Sequence, residues 1–473
     1  MRGKKRIGKH RVRGYGIALL LVLSLALGAA QILKAREYPD PVPLRMSGLL
    51  GNGDATYPVS PDEARGASYL PGSNVLNLPS GELRYLPPNA AEPVIVSPED
   101  PGAREAVAEA RSWLKKGRVP GSTEDERRMA ERTLLDLRLL TDEKGAIVAA
   151  PYKRWNYVWP RDASWAAAAF AATGHHEESY EILEFLADVQ KADGTWEARY
   201  GTDGSPVLDG RELQLDATGW FTWAVWFYAA TAPAENRAAE EFWPAVNKAA
   251  DAAADSLDDD GLPPGGPDYW EIPTWKPNIG TAAPLLTGLR SGADLAKQFG
   301  HDSESRRYTR TADQLDYAIR REFAPDGYQR TTRPGSGADA AVTFLAPPFA
   351  PPDDSVERAI DETAKKLRAS NGGMLPGEKW RQKPTVAWTP ETAFFALSSA
   401  AAGDEEGADR YLDWLADHRT KLGAFPEKVD GESPEAVAPL GWTSAVVLLT
   451  LAAKEEPLPI PPSPSKAGAG TGD

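Results

Sequence analysis

Six charged amphipathic segments alternate with six nearly uniform apolar ones between residues 123 and 453, and this alternation predicts an all-α fold of two concentric rings, an (α/α)6 barrel. A helix with no polar face must be covered on both sides, so the apolar set belongs inside and the amphipathic set outside. No motif of fixed period points instead to a stacked solenoid.

The amphipathic segments fall at 123–140, 176–190, 235–256, 303–322, 354–369 and 404–417, with apolar spacing of the kind shown by Ile182, Phe185, Leu186 and Val189. The apolar segments fall at 162–173, 214–231, 279–291, 338–346, 389–401 and 440–453. Thr123 with Glu126 forms a capping box, and Thr389 before Pro390 reads as an N-cap with proline at the first helical position. Inner helices of such a barrel run parallel, so their amino termini meet at one rim.

The barrel is assigned to 121–456, and the flanking segments differ from it in kind. Seven Lys or Arg residues from Arg2 to Arg13 precede an uncharged run, 14–33, about as long as a bilayer crossing requires. Residues 1–34 therefore read as a cytoplasmic basic segment and single-pass signal-anchor in the cell membrane, with the rest of the chain outside. Secretion after cleavage near Gly28-Ala29-Ala30 is the alternative, but the run exceeds the roughly 7 to 15 residues of a usual signal core. Residues 35–120, rich in Pro and Gly, read as an extracytoplasmic stalk and irregular packing arm, with a hairpin within 77–88 and a short helix from Ala103 to Lys116. Residues 457–473 read as a disordered tail.

Charge and composition exclude several functions. Eight of the 53 Lys and Arg residues precede residue 35, where there is no acid; the remainder carries 45 against 68 acidic residues, a net of −23. Such a surface repels nucleic acid, whereas a neutral glycan is indifferent to it. With no cysteine and five histidines, no metal or other cofactor is expected. The run D-S-L-D-D-D-G at 255–261 lacks the calcium-loop pattern and reads as a solvated helix end.

Chemistry-bearing residues gather where the inner helices begin. Trp155, Tyr157 and Trp159 crowd ahead of Arg161 and Asp162, a combination that suits a sugar: its C–H faces stack on indole and its hydroxyls pair with guanidinium and carboxylate. Taken alone, the same stretch also reads as an N-capping aspartate with an arginine partner above core tryptophans. Arg211, Gln214 and Asp216 precede the second inner helix; Trp270, Glu271 and Trp275 the third; Asp339 opens the fourth and Glu391 the fifth. Glu427 lies ahead of the sixth, followed by Trp442 in P-L-G-W. Helix amino termini attract carboxylates without any catalysis, but repeated carboxylates interleaved with aromatics fit glycoside hydrolysis. Glu271, between indoles, is the candidate general acid, its pKa expected to be raised by apolar walls. Glu427 is the candidate base that activates water. Carboxyls on opposite walls of a barrel mouth are expected roughly 6.5 to 9.5 Å apart, which implies inversion at the anomeric carbon.

The ordered motifs G-A-I-V-A-A-P-Y, N-Y-V-W-P-R-D-A-S-W, Q-L-D-A-T-G-W, Y-W-E, P-E-K-V-D and P-L-G-W-T-S-A, spread over 121–453, resemble those of the family 15 glycoside hydrolases, which include glucoamylases and glucodextranases. The resemblance implies an (α/α)6 barrel and an inverting exo-hydrolase that removes an α-linked glucosyl unit. On the matching positions Glu271 is the acid, Glu427 the base, and Arg161 and Asp162 hold the terminal sugar. Trp159, Gln214, Asp216, Trp270 and Trp442 complete the expected substrate-binding set. The chain departs from the family where Glu271 is followed by Ile272 and Pro273 rather than a second Glu and an Arg. The loop ahead of Gln214 is compressed, and 35–120 leaves no room for the large amino-terminal β-sandwich of bacterial members. Two alternatives stand beside this reading: a non-catalytic cell-surface glycan-binding barrel, and a phosphorylase on the same scaffold. Both candidate carboxylates favour hydrolysis, and no Lys or Arg cluster announces a phosphate pocket.

Overall fold

The computed structural model describes residues 42–52, 55–232, 238–381 and 383–463. The chain divides into two compact units, 1–41 with 381–383, and 42–380 with 384–473. Only 381 and 383 of the first are described, so the fold is that of the second. The expected membrane-spanning run, 14–33, lies outside the described residues; among those described, no helix is long and apolar enough to cross a membrane.

The inner ring consists of α3 (Pro160–Ala172), α5 (Asp216–Thr231), α7 (Ile279–Gln298), a 3-10 helix (Ala340–Leu345), α10 (Thr389–Ala401) and α12 (Gly441–Glu455). Each packs on the next, and α12 packs back on α3, which closes the ring. Outside them lie α2 (Glu124–Leu140), α4 (His176–Asp188), α6 (Trp243–Asp255), α8 (Asp302–Glu322), α9 (Asp354–Leu367) and α11 (Glu405–Asp417). All thirteen positions of α5 from Asp216 to Tyr228 are buried, whereas α8 buries only Tyr308, Ala312, Leu315, Ala318 and Ile319. The two patterns are those of an enclosed helix and a one-faced one. Thr123 and Glu126 form the expected capping box on α2. At α10 the cap lies one residue earlier than expected, on Trp388, and the Thr389 hydroxyl pairs with Thr443 at 2.7 Å instead.

The fourth inner element departs from expectation, being a six-residue 3-10 helix rather than a full α-helix over 338–346. Pro347, Pro348, Pro351 and Pro352 follow it directly, and proline removes the N–H and the space that further turns need. Phe349, in that proline-rich segment, fills the barrel axis instead. Trp165 on α3 lies at its centre, with ring centroids 4.9 Å from Trp220, 5.0 Å from Phe349, 5.7 Å from Phe394 and 6.1 Å from Trp442. The barrel is therefore plugged by aromatic side chains below its rim.

The amino-terminal arm is not irregular. It forms a hairpin of β1 (Gly48–Gly51) with β2 (Thr56–Val59), and a four-stranded antiparallel sheet of β3 (Ser68–Tyr69), β4 (Leu76–Asn77), β5 (Leu83–Tyr85) and β6 (Val94–Val96), followed by α1 (Pro101–Leu114). Strands this short escape a period-two reading, and the arm gains its order by packing. Leu50, Val59, Leu76 and Leu86 form a small core with Leu422, while the Thr56 hydroxyl donates to the Leu139 carbonyl at 2.6 Å. At the other end, where a disordered tail was expected from 457, Leu458 packs into the main core.

A third sheet, β7 (Val386–Trp388), β8 (Lys428–Asp430) and β9 (Ser433–Glu435), joins the entries of α10 and α12. It sets the backbone on which Trp388 and Glu427 are carried.

Close backbone approach locks α5 to α7. A Cβ on Gly219 would lie 2.1 Å from the Pro284 carbonyl oxygen, and one on Gly288 would lie 2.5 Å from the Gly219 Cα. Gly219→Ala is therefore expected to lower stability by about 1–3 kcal/mol in chemical denaturation, as overpacking does. Gly266→Ala, with nothing within 4 Å of the added carbon, should stay within about 0.5 kcal/mol of the parent protein.

Candidate active site

The entry to α3 sets the floor of the site. Trp159 is its N-cap and Pro160 its first residue, which leaves Arg161 and Asp162 in the first turn facing the barrel mouth. Four partners fix the Arg161 guanidinium: Nε donates to Asp162 at 3.2 Å, Nη1 donates to Gln214 at 2.7 Å and to Asp216 at 3.4 Å, and the group stacks on Trp442 at 4.6 Å from the ring centre. Burial pushes the Asp162 carboxyl up to about 6, against the Arg161 charge and helped by Glu271 and Asp216.

Glu271 sits in a conformation that few side chains adopt, at φ 56°. Left-handed backbone at a non-glycine residue costs about 1–2 kcal/mol, so neighbouring bonds must hold it. The Glu271 N–H donates to the Asp268 carbonyl at 2.8 Å, and the Trp270 N–H donates to the Asp268 side chain at 3.0 Å. Asp268 in turn accepts from Arg330 at 2.8 Å, and Arg330 stacks on Trp270 at 3.5 Å. The Glu271 carboxylate accepts from the Trp159 indole at 2.6 Å and from Arg211 Nε at 2.9 Å.

These donors overturn one expectation. Burial does push Glu271 upward, but the Trp159 hydrogen bond and the Arg211 and Arg161 charges outweigh it and hold the carboxyl below its usual range. Apolar walls do not close around it: Trp275, expected to flank it, is fully exposed. Glu427 has the opposite balance. Its backbone is tied by its N–H to the Val437 carbonyl at 2.9 Å, and its carboxylate accepts from the Trp155 indole at 2.9 Å. Burial raises its pKa against that hydrogen bond and the charges of Lys428 and Arg154.

Glu271 and Glu427 border one cavity of about 270 Å³. Of the nine residues expected at the site, seven line it: Trp159, Arg161, Asp162, Trp270, Glu271, Glu427 and Trp442. Gln214 and Asp216 do not. They lie behind Arg161, buried, and orient that guanidinium; Gln214 Nε2 also donates to the Glu271 carboxylate at 3.5 Å.

Sequence reasoning placed Trp155 and Glu391 at the rim without assigning them to the site and left out Tyr269, Trp380 and Trp388; all five also line the cavity. A signal existed for two of them. W-T-P-E at 388–391 repeats the order of W-P-R-D at 159–162: an aromatic N-cap, a proline and a carboxylate in the first turn. Nor does the cavity lack arginine, since Arg154 and Arg211 join Arg161 on its wall. Arg154 and Arg161 come from one short segment and Arg211 from a distant one, so the sequence shows no basic cluster; Arg161 and Arg211 are paired with carboxylates.

Comparison with known proteins agrees with this geometry. Residues 186–371 match the family model for glycosyl hydrolases family 15. A protein of Methanocaldococcus jannaschii described as an uncharacterized glycosyl hydrolase is 25% identical over 352 residues, 68% of this chain and 55% of that one, so the chain spans about half its length. The isomaltose glucohydrolase of Kribbella flavida is 25% identical over 348 residues, 65% of this chain and 88% of that one. Among solved structures, a bacterial glucoamylase complexed with acarbose superposes with a TM-score of 0.62 at 18% identity, covering 76% of this chain and 60% of that one. A glycosidase in complex with glucose superposes with a TM-score of 0.60 at 21% identity, covering 69% and 96% respectively. The chain thus resembles the glucoamylase-like family 15 of glycoside hydrolases, most directly over 186–371, and shares the fold of the solved members.

Proposed function

We propose that the chain is an inverting, exo-acting hydrolase that releases a terminal sugar, α-linked glucose, from an oligo- or polysaccharide. The observation that carries this reading is that Glu271 and Glu427 border the cavity whose floor is the Arg161–Asp162 pair. At about 270 Å³ the cavity falls below the roughly 300–1,000 Å³ of ordinary ligand sites, which suits a single ring with its aglycone projecting outward. The aromatic plug around Trp165 supports action at a chain end, because no polymer can thread the barrel axis.

In this reading Glu271 protonates the glycosidic oxygen as the C–O bond breaks, and Glu427 takes a proton from the water that attacks the opposite face of the anomeric carbon. The raised pKa of Glu427 makes it the stronger base once ionised. Glu271, held ionised in the free site, must first gain a proton. An incoming aglycone that displaces Arg211 removes the charge that keeps it low. The same reading places residues 14–33 in the membrane with the barrel outside.

Glu271→Gln and Glu427→Gln are each expected to lower kcat by about 10²–10⁴-fold, measured on α-glucosides in phosphate-free buffer, while glucose binding followed by tryptophan fluorescence is retained. Unchanged turnover in either variant contradicts its role, and turnover only when phosphate is added favours phosphorolysis. For topology, the full-length protein should sediment with membranes; a mature chain in the medium beginning near Gln31 would contradict the anchor.

A further inference from the structure

We infer that Glu391 is a substrate-contacting residue of this cavity: as an uncharged carboxylic acid it donates a hydrogen bond to a hydroxyl of the sugar ring held by Arg161 and Asp162. The inference rests on the sugar-binding reading above and adds a specificity residue to it. Glu391 stands in the first turn of α10, lines the cavity, and is only 3% exposed. Its Oε2 has no hydrogen-bond partner among the described residues. A carboxylate placed merely to cap a helix accepts from the free N–H groups of its turn. Among the described residues, the backbone donor that acts on the Glu391 carboxyl is its own N–H.

The groups around it explain why it is uncharged. Asp339 faces it from the entry to the 3-10 helix, Glu427 from the bend just before β8, Arg161 from α3, and the Tyr269 phenol from the loop before α7. Arg161 is the single cation of that set, and its Nε and Nη1 donate to Asp162, Gln214 and Asp216 rather than to Glu391. Burial, with Asp339 and Glu427 beside it, pushes the Glu391 carboxyl up to about 8, against its own N–H and Arg161. At neutral pH it therefore carries a proton to donate.

The rest of the cavity wall has the same character. The indole N–H groups of Trp270, Trp380, Trp388 and Trp442 are buried and have no partner among the described residues, and all four residues line the cavity. Buried donors without acceptors are costly and uncommon.

The test uses D-glucose and its monodeoxy derivatives as probes, with binding to the full chain followed by tryptophan fluorescence. Glu391→Gln keeps a donor and should bind glucose within about threefold of the parent, whereas Glu391→Ala should weaken binding by roughly 10- to 100-fold, the loss expected for an unpaired buried hydroxyl. One deoxy sugar should show that same loss with the parent protein and no further loss with Glu391→Ala. Parent affinity should fall as pH rises through about 8, where the donor ionises, and Glu391→Gln should remove that fall; these two readouts stand even where the alanine variant does not fold. Binding by Glu391→Ala equal to the parent, Glu391→Gln as weak as the alanine variant, or affinity that rises with pH overturns the inference. A parent protein that binds glucose and cleaves an α-glucoside, with both unaffected by the Glu391 variants, overturns this inference alone. A parent protein that does neither overturns the sugar-binding reading and this inference with it.

Discussion

Two indole N–H groups, four residues apart in sequence, hold the two carboxylates on which the site depends. Trp155 donates to Glu427 and Trp159 donates to Glu271, so the short segment that opens the first inner helix reaches both walls of the cavity at once. Neutral donors of this kind orient a carboxylate without adding a cation that would bind it permanently. The same segment continues into Arg161 and Asp162, which form the floor. The cavity floor and the two carboxylates are thus referred to a single piece of backbone, and a shift in that segment would disturb both together.

That segment can serve as a reference because what lies beneath it does not yield. The inner ring closes on itself, and Trp165, Trp220, Phe349, Phe394 and Trp442 fill its axis. Protein interiors packed to this density resist displacement. Trp442 takes part on both sides: its ring packs in the plug at Phe394, 5.0 Å away, and carries the Arg161 guanidinium above. The cavity floor is in this way continuous with the core. Glu271 draws on the same rigidity, since its left-handed backbone is maintained by Asp268, which Arg330 ties to Asp339 at the start of the 3-10 helix.

Most of the barrel was legible in the sequence because enclosure and one-sided exposure leave different patterns, and those patterns survive without any tertiary information. α5 and α8 are the clearest pair. Where proline limited an inner element to a 3-10 helix, the apolar pattern alone could not distinguish six residues from a longer helix. Of the amino-terminal sheets only the β4–β5 hairpin was legible, from its turn residues within 77–88; the other strands, two to four residues long, carry almost no periodicity. At the site, position was legible and electrostatics were not. The rim placement of Glu271 and Glu427 followed from where helices begin, but the direction of each pKa depends on donors from distant segments, Arg211 and Trp159 for one and burial for the other. Gln214 and Asp216 were in the right neighbourhood but one layer back: both accept from Arg161, and Gln214 also donates to Glu271, without lining the cavity themselves.

The central claim is that Glu271 and Glu427 act from opposite sides of one sugar ring with a water between one of them and the anomeric carbon. Proton NMR of the first product released from an α-glucoside reports this directly, before mutarotation mixes the anomers. The account predicts β-glucose as the initial product. Initial release of α-glucose would mean retention, which two opposed carboxylates and an intervening water do not produce.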